Sequence, residues 1–194
     1  MIGAIVLAAG SSRRFGGDKR KAILPNGKMV IQQSVQKALT CFDAVTLVLR
    51  YGDNEFAAKL SALINDPKLN IFQAPESALG MGHSLANAIR EVTDWDGAFV
   101  FLADMPDLQQ ATISQLQQIF TTNQANDPIV VPTFGGQFSH PVGFASRYFN
   151  ELAALTGDEG AKPVINANAD KVIEVAVDDQ GVTKDVDLPK DLLQ

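Results

Sequence analysis

Residues 5–25 read IVLAAGSSRRFGGDKRKAILP. An apolar run passes through Ala8 and Ala9 into Gly10. A loop follows with Ser11, Ser12, Arg13 and Arg14, then Gly16, Gly17, Lys19, Arg20 and Lys21. An apolar strand that opens into a basic glycine loop has two readings. One is an anion seated against bare backbone N–H groups, where glycine permits close approach. The other is a solvated surface turn, the commoner fate of a charge run. The loop is not a Walker A loop, because no Gly-Lys-Ser/Thr follows at the required spacing, and it is not G-x-G-x-x-G.

Working outward, the pattern repeats. AIVLA (4–8), AVTLVL (44–49), LNIF (69–72), AFVFLA (98–103), PIVVP (128–132) and KVIEVAV (171–177) read as strands. Between them, helical periodicity predicts helices near 29–40, 53–65, 83–92, 109–122 and 146–155. In 109–122, Ile113, Leu116, Ile119 and Phe120 recur at helical spacing, with Thr112 or Ser114 as the expected cap. Strands alternating with helices predict an α/β fold: a three-layer, Rossmann-like, mostly parallel sheet with helices on both faces. The strands are almost wholly apolar, as a sheet covered on both faces requires. With neither repeat nor linker, residues 1–194 are expected to form one domain. Ligands of such folds sit beyond the carboxyl ends of the strands. Attention therefore falls on residues 10–21, 73–84, 104–106 and 133–141.

Composition narrows the function. At 194 residues, the chain is long enough to bury roughly 70% of its unfolded surface without a staple. The single cysteine, Cys41, excludes an internal disulfide and fits a reducing cytoplasm. No apolar stretch is long enough to span a membrane, and the first ten residues read as a strand rather than a signal peptide. The net charge of −6 argues against a nucleic-acid partner. Its distribution says more. Residues 1–28 carry Arg13, Arg14, Lys19, Arg20, Lys21 and Lys28 against Asp18 alone, whereas the rest of the chain is strongly acidic. A basic loop on an acidic body suggests an anion site facing carboxylates able to hold a cation.

Two segments supply such carboxylates. In AFVFLADMPDL, Asp104 follows an apolar run directly, where an ionised group is costly unless paired or ligating. Magnesium takes one or two carboxylates plus substrate phosphates, a role Asp104 suits. The alternative is a helix cap, for which Asp107 is the nearer candidate. In KDVDLPKDLL, Asp185 and Asp187 project to the same side of an extended chain. They would complete a metal site, or Asp187 would merely start a final helix. A glycine turn in PESALGMGHSLANAI, with Ser84 at a helix start, offers polar groups to a base or ribose.

Taken together, LAAGSSRRFGGDKRKAILP, ADMP, GMGHSL and DVDLPKDL resemble the nucleotidyltransferase group that includes the molybdenum cofactor cytidylyltransferases. The resemblance implies a Mg²⁺-dependent enzyme that moves a nucleoside monophosphate from a triphosphate to a phosphate monoester, releasing pyrophosphate. It implies CTP as donor, with GTP the close competitor, and molybdopterin as acceptor, with a sugar phosphate as another possibility. A molybdoenzyme is the implied partner. Ala8, Ala9, Gly10, Ser11, Ser12 and Arg14 are expected to bind the triphosphate. Lys21 is expected to join them, preferred over Lys19 because its distance to Leu24-Pro25 matches the family pattern. Gly82 and Ser84 are the nucleoside candidates. Asp104 is the first metal ligand and Asp185 the second, with the role of Asp187 open. Arg14, Lys21 and Asp104 form the expected catalytic set.

In GGQFSHPVGF and LTGDEGAKPVI, the resemblance places His140 and Lys162 near the acceptor. Ser139 and Lys162 stand where the family has glycine and arginine, and lysine cannot grip phosphate bidentately. Two other classes compete. A nicotinamide-dependent oxidoreductase is disfavoured by the missing G-x-G-x-x-G. A non-catalytic nucleotide-binding or chaperone module would bind nucleotide without releasing pyrophosphate.

Overall fold

A computed structural model describes residues 1–10 and 15–193. The expectations for Ser11, Ser12 and Arg14 therefore lie outside the described residues. The first strand, β1 (Ile2–Leu7), pairs in parallel with β2 (Val45–Arg50) on one side and β4 (Gly97–Leu102) on the other. Strand β3 (Leu69–Ala74) extends the sheet beyond β2, again in parallel.

The chain thus winds outward from β1 to β3 and then returns to the other side of β1. That reversal opens a crevice beyond the carboxyl ends of β1 and β4, where ligands of open α/β sheets bind. The register Leu7↔Leu102 sets Ala8 and Ala103 side by side at its mouth. The glycine loop and Asp104 consequently emerge next to each other.

The remaining strands are β5 (Ile129–Phe134), β6 (Gln137–Phe138), β7 (Val142–Ala145) and β8 (Val172–Ala176). Strand β7 lies between β4 and β5 and is antiparallel to both, while β8 runs parallel to β5. The sheet is mixed but mostly parallel. Sequence periodicity did not reveal β6 and β7, because two and four residues are too few to display alternation.

Helices cover the sheet. In α1 (Val30–Cys41), Val30, Ile31, Ser34, Val35, Ala38 and Leu39 form the buried stripe that 3.6-residue periodicity demands. It packs against α2 (Asn54–Ile64) and α4 (Gln110–Thr122). Helix α3 (Met81–Arg90) packs with α5 (Phe149–Ala153). The short α6 (Lys162–Ala167) begins with a proline in its first turn and escaped the periodicity reading. The rings of Phe42, Phe99, Phe101 and Phe120 form an aromatic cluster, with neighbouring centroids 5.3–5.8 Å apart.

The expected cap of α4 differs. Thr112 does not cap from within; its hydroxyl donates to Asp179 Oδ2 at 2.8 Å. Asp179 also accepts the Gln109 N–H at 2.9 Å, so the carboxylate that caps α4 comes from far along the chain. Among the described residues, no helix is long and apolar enough to cross a membrane.

Candidate active site

At the crevice, one oxygen from each of Asp104, Asp185 and Asp187 lies within 4.8 Å of the others. The two chain segments meet for identifiable reasons. After β8 the chain runs back across the β4–α4 connection as a strap. Asp179 caps α4 at one end of it. A Cβ on Gly181 would lie 2.6 Å from the Asp107 carbonyl, so glycine is needed for this close approach. The Lys184 ammonium pairs with Asp107 at 2.7 Å, and the Val186 N–H donates to the Asp104 carbonyl at 2.9 Å. Val186 is buried beside Leu24 and Val30. Its inward side chain leaves Asp185 and Asp187 on the opposite side of the strap, as the alternation predicted.

Among the described residues, buried Asp104 Oδ1 has no hydrogen-bond partner. A buried carboxylate oxygen rarely stays unsatisfied, and a hard cation among three carboxylates would satisfy it. The donor set is all oxygen, as Mg²⁺ and Mn²⁺ prefer. The residues therefore fit a divalent cation. Asp185 is pushed above the usual carboxylate range by burial and by the nearby charges of Asp187 and Asp104. That upward shift is the cost of desolvating a carboxylate and of gathering like charges around it.

Lys19 reaches this cluster. Its Nζ lies 2.6 Å from Asp104 Oδ2 and 2.9 Å from Asp187 Oδ1. Burial pulls the ammonium down, but Asp104 and Asp187 outweigh burial and the net shift is upward. Lys19 is thus held firmly protonated.

The sequence preference was Lys21, and the geometry differs. Lys21 has 55% of its side chain exposed, against 16% for Lys19. Its Nζ sits over the Phe56 ring, 4.8 Å from the centroid and 3.8 Å from Asp18. The cause is the 3-10 turn Lys19–Lys21, in which successive side chains point about a third of a turn apart. Arg20 fixes the turn's rotation. It is buried, with its guanidinium forked onto Asp18 at 2.7 and 2.8 Å, onto Asp53 at 2.5 Å and onto the Ala8 carbonyl at 3.0 Å. With Arg20 turned inward, Lys19 faces the carboxylates and Lys21 faces away.

The same network shapes the loop entry. Arg50 donates twice to the Gly10 carbonyl, at 2.6 and 3.1 Å. Ala8 is buried, Ala9 half-buried and Gly10 exposed at the mouth. Sequence reasoning missed Arg20, Asp53 and Arg50 as organisers of this loop, because their partners lie on other elements.

Gly82 and Ser84 have packing roles that the sequence did not disclose. The Gly82 N–H donates to the Gly157 carbonyl at 2.8 Å, and a Cβ there would lie 2.5 Å from the Thr156 oxygen. Ser84 is buried, and its hydroxyl donates to the Gly80 carbonyl at 3.1 Å. His83 Nδ1 accepts the Gly157 N–H at 3.0 Å. The start of α3 is thereby fastened to the 156–160 loop. His140 is half-buried, and burial pushes its pKa down to about 4 against the opposing pull of Asp104, so its imidazole is neutral at pH 7. Lys162 is exposed at the start of α6.

Residues 4–172 match the family model described as the MobA-like NTP transferase domain. The chain is 28% identical to the purine catabolism protein PucB of Bacillus subtilis, over 96% of this chain and 92% of that protein. It superposes on the crystal structure of Rv0371c from Mycobacterium tuberculosis with a TM-score of 0.79 and 28% identity, covering 98% of this chain and 94% of the other. A manganese complex of Rv0371c also matches, at a TM-score of 0.69 and 26% identity over 91% and 88% of the two chains. A nucleotidyl transferase from Methanothermobacter thermautotroptrophicus shares the fold at a TM-score of 0.77, with 16% identity over 100% and 94%.

Proposed function

For a chain that belongs to the MobA-like NTP transferase family, and is on that ground a nucleotidyltransferase, we propose a divalent-cation-dependent transfer of a nucleoside monophosphate onto a phosphate monoester, with pyrophosphate released. The observation that carries this reading is the buried Asp104 Oδ1, without a hydrogen-bond partner among the described residues, inside a three-carboxylate cluster. Asp104, Asp185 and Asp187 are the residues that would hold Mg²⁺ or Mn²⁺. A cation there would supply charge neutralisation on the triphosphate oxygens. The manganese complex of Rv0371c is in keeping with this donor set.

The chain's own residues do the rest. The triphosphate lies against the backbone of Ala8, Ala9 and Gly10 and the following Ser11, Ser12 and Arg14. Lys19 Nζ leaves its carboxylate partners far enough to donate to a phosphate oxygen, and its upward-shifted pKa keeps the proton there. Lys21, displaced to the Phe56 side, contributes long-range charge rather than a contact. Gly82 and Ser84 act indirectly, by seating the nucleoside-side loop. His140 and Lys162 remain the proposed acceptor contacts, the first as a neutral imidazole and the second as a phosphate-binding ammonium.

The acceptor phosphate needs little help from a base. With a second pKa of about 6, it is already largely dianionic at neutral pH. Positioning and charge neutralisation then carry the rate.

For the donor we propose CTP ahead of GTP, and for the acceptor molybdopterin, destined for a molybdoenzyme in the cytoplasm. Sequence motifs support this finer assignment. Incubation with CTP, GTP, ATP or UTP, Mg²⁺ and molybdopterin, followed by pyrophosphate measurement, tests it. Release with CTP alone or foremost is expected. Nucleotide binding without pyrophosphate release from any pair would favour a non-catalytic carrier.

A further inference from the structure

The strap must bring two more carboxylates towards Asp104, and their mutual repulsion opposes this. Lys184, Val186 and Lys19 hold it from outside, through Asp107, the Asp104 carbonyl and Asp187. A fourth hold is internal. Asp191 Oδ2 accepts the N–H of Asp187 at 3.0 Å and that of Leu188 at 2.7 Å. The Asp191 N–H returns to the Leu188 carbonyl at 2.9 Å. This is the arrangement of a carboxylate in the first turn of a helix, here the short 3-10 turn Pro189–Leu193, reaching back to the preceding amides.

We infer that Asp191 is a positioning residue of the metal site: by capping Asp187 and Leu188 it fixes the strap so that Asp185 and Asp187 close on Asp104. The inference rests on the proposed reading of the three-carboxylate cluster as a cation site. Asp191 itself is not part of that cluster.

The strap's packing says where the effect will be felt. Leu188, Pro189 and Lys190 are exposed. Val186 and Leu192 belong to a small apolar cluster with Leu24 and Val30, separate from the main core. Loosening the cap thus leaves the sheet and its helices intact. What it loosens is the spacing of two carboxylates, and cation affinity is sensitive to the groups that orient its ligands.

Mn²⁺ titration of the free protein, followed by electron paramagnetic resonance without nucleotide, tests this. Asp191→Ala is expected to weaken Mn²⁺ binding about 10-fold. Asp191→Asn loses the charge but keeps an acceptor oxygen, and is expected to bind within about twofold of the unaltered protein. Both variants are expected to melt close to the unaltered protein. Should Asp191→Ala melt too low to titrate, Asp191→Ser, which also cannot reach both amides, takes its place.

Unchanged affinity in the Ala or Ser variant overturns the positioning role. Equal weakening in Asn and Ala also overturns it, because the residue would then act through its charge alone. If the unaltered protein binds no Mn²⁺, the cation reading itself fails and this inference falls with it.

Discussion

The Lys19 ammonium lies 2.6 Å from Asp104 Oδ2, although the two residues belong to loops that follow different strands. The pairing joins a cation from the first loop to a carboxylate from the fourth strand's end, across the crevice where the sheet reverses its winding. It predicts a sharp functional difference between neighbouring lysines. Lys19→Ala is expected to lower the kcat of pyrophosphate release by about 10²-fold or more, the usual cost of losing a charge donor at a reacting group. Lys21→Ala, on a more exposed side chain, is expected to change it by no more than about threefold. Steady-state kinetics on both variants check this, and the reverse ranking would return the role to Lys21.

Arg20 carries a different kind of prediction. Its buried guanidinium satisfies Asp18, Asp53 and the Ala8 carbonyl together. Arg20→Met removes the buried guanidinium from Asp18 and Asp53 and is expected to cost about 3–5 kcal/mol. Urea denaturation measures it. Adding Asp53→Asn is expected to recover part of the loss, because one stranded charge is removed.

Gly82 makes a purely steric prediction. A methyl group there would meet the Thr156 oxygen at 2.5 Å, so the 156–160 loop must shift. Gly82→Ala is expected to destabilise the protein by about 1–3 kcal/mol, the usual penalty for overpacking. A fall in the urea midpoint at constant slope is the signature. An unchanged midpoint would show that the loop yields freely.

The dependence of stability on pH follows from His140. Its folded pKa of about 4 lies below the ordinary histidine value of 6.5, so the folded protein binds fewer protons than the unfolded chain between those values. The contribution is therefore complete above about pH 6.5 and lost as pH falls towards 4. The slope is at most about 1.4 kcal/mol per pH unit. His140→Asn is expected to flatten the loss of stability over that window, read by denaturant melts at stepped pH. Parallel curves for the two proteins would contradict the assignment.

Local chemistry made much of this legible beforehand. An apolar run followed at once by Asp104 marked a carboxylate at a strand's carboxyl end, and the spacing of Asp185 and Asp187 marked one side of an extended segment. Which of Lys19 and Lys21 meets Asp104 was not legible, because counting along the chain to Leu24-Pro25 ignores the rotation of a 3-10 turn. That rotation is set by Arg20's partner Asp53, on another element. The packing of Gly82 against the backbone of Thr156 and Gly157 was not legible either. Asp179 caps a helix that begins far upstream of it, beyond the reach of local capping rules. Strand β7 hid in four residues. Apart from β7, the missing information was in each case a contact between distant segments.

Anomalous diffraction from a crystal grown with Mn²⁺ and a non-hydrolysable CTP analogue probes the metal cluster most directly. The account predicts a manganese peak within bonding distance of Asp104 Oδ1 and of Asp185 or Asp187, with Lys19 Nζ turned to a phosphate oxygen. A nucleotide bound with its phosphates elsewhere, or a peak that leaves Asp104 Oδ1 unligated, would contradict it.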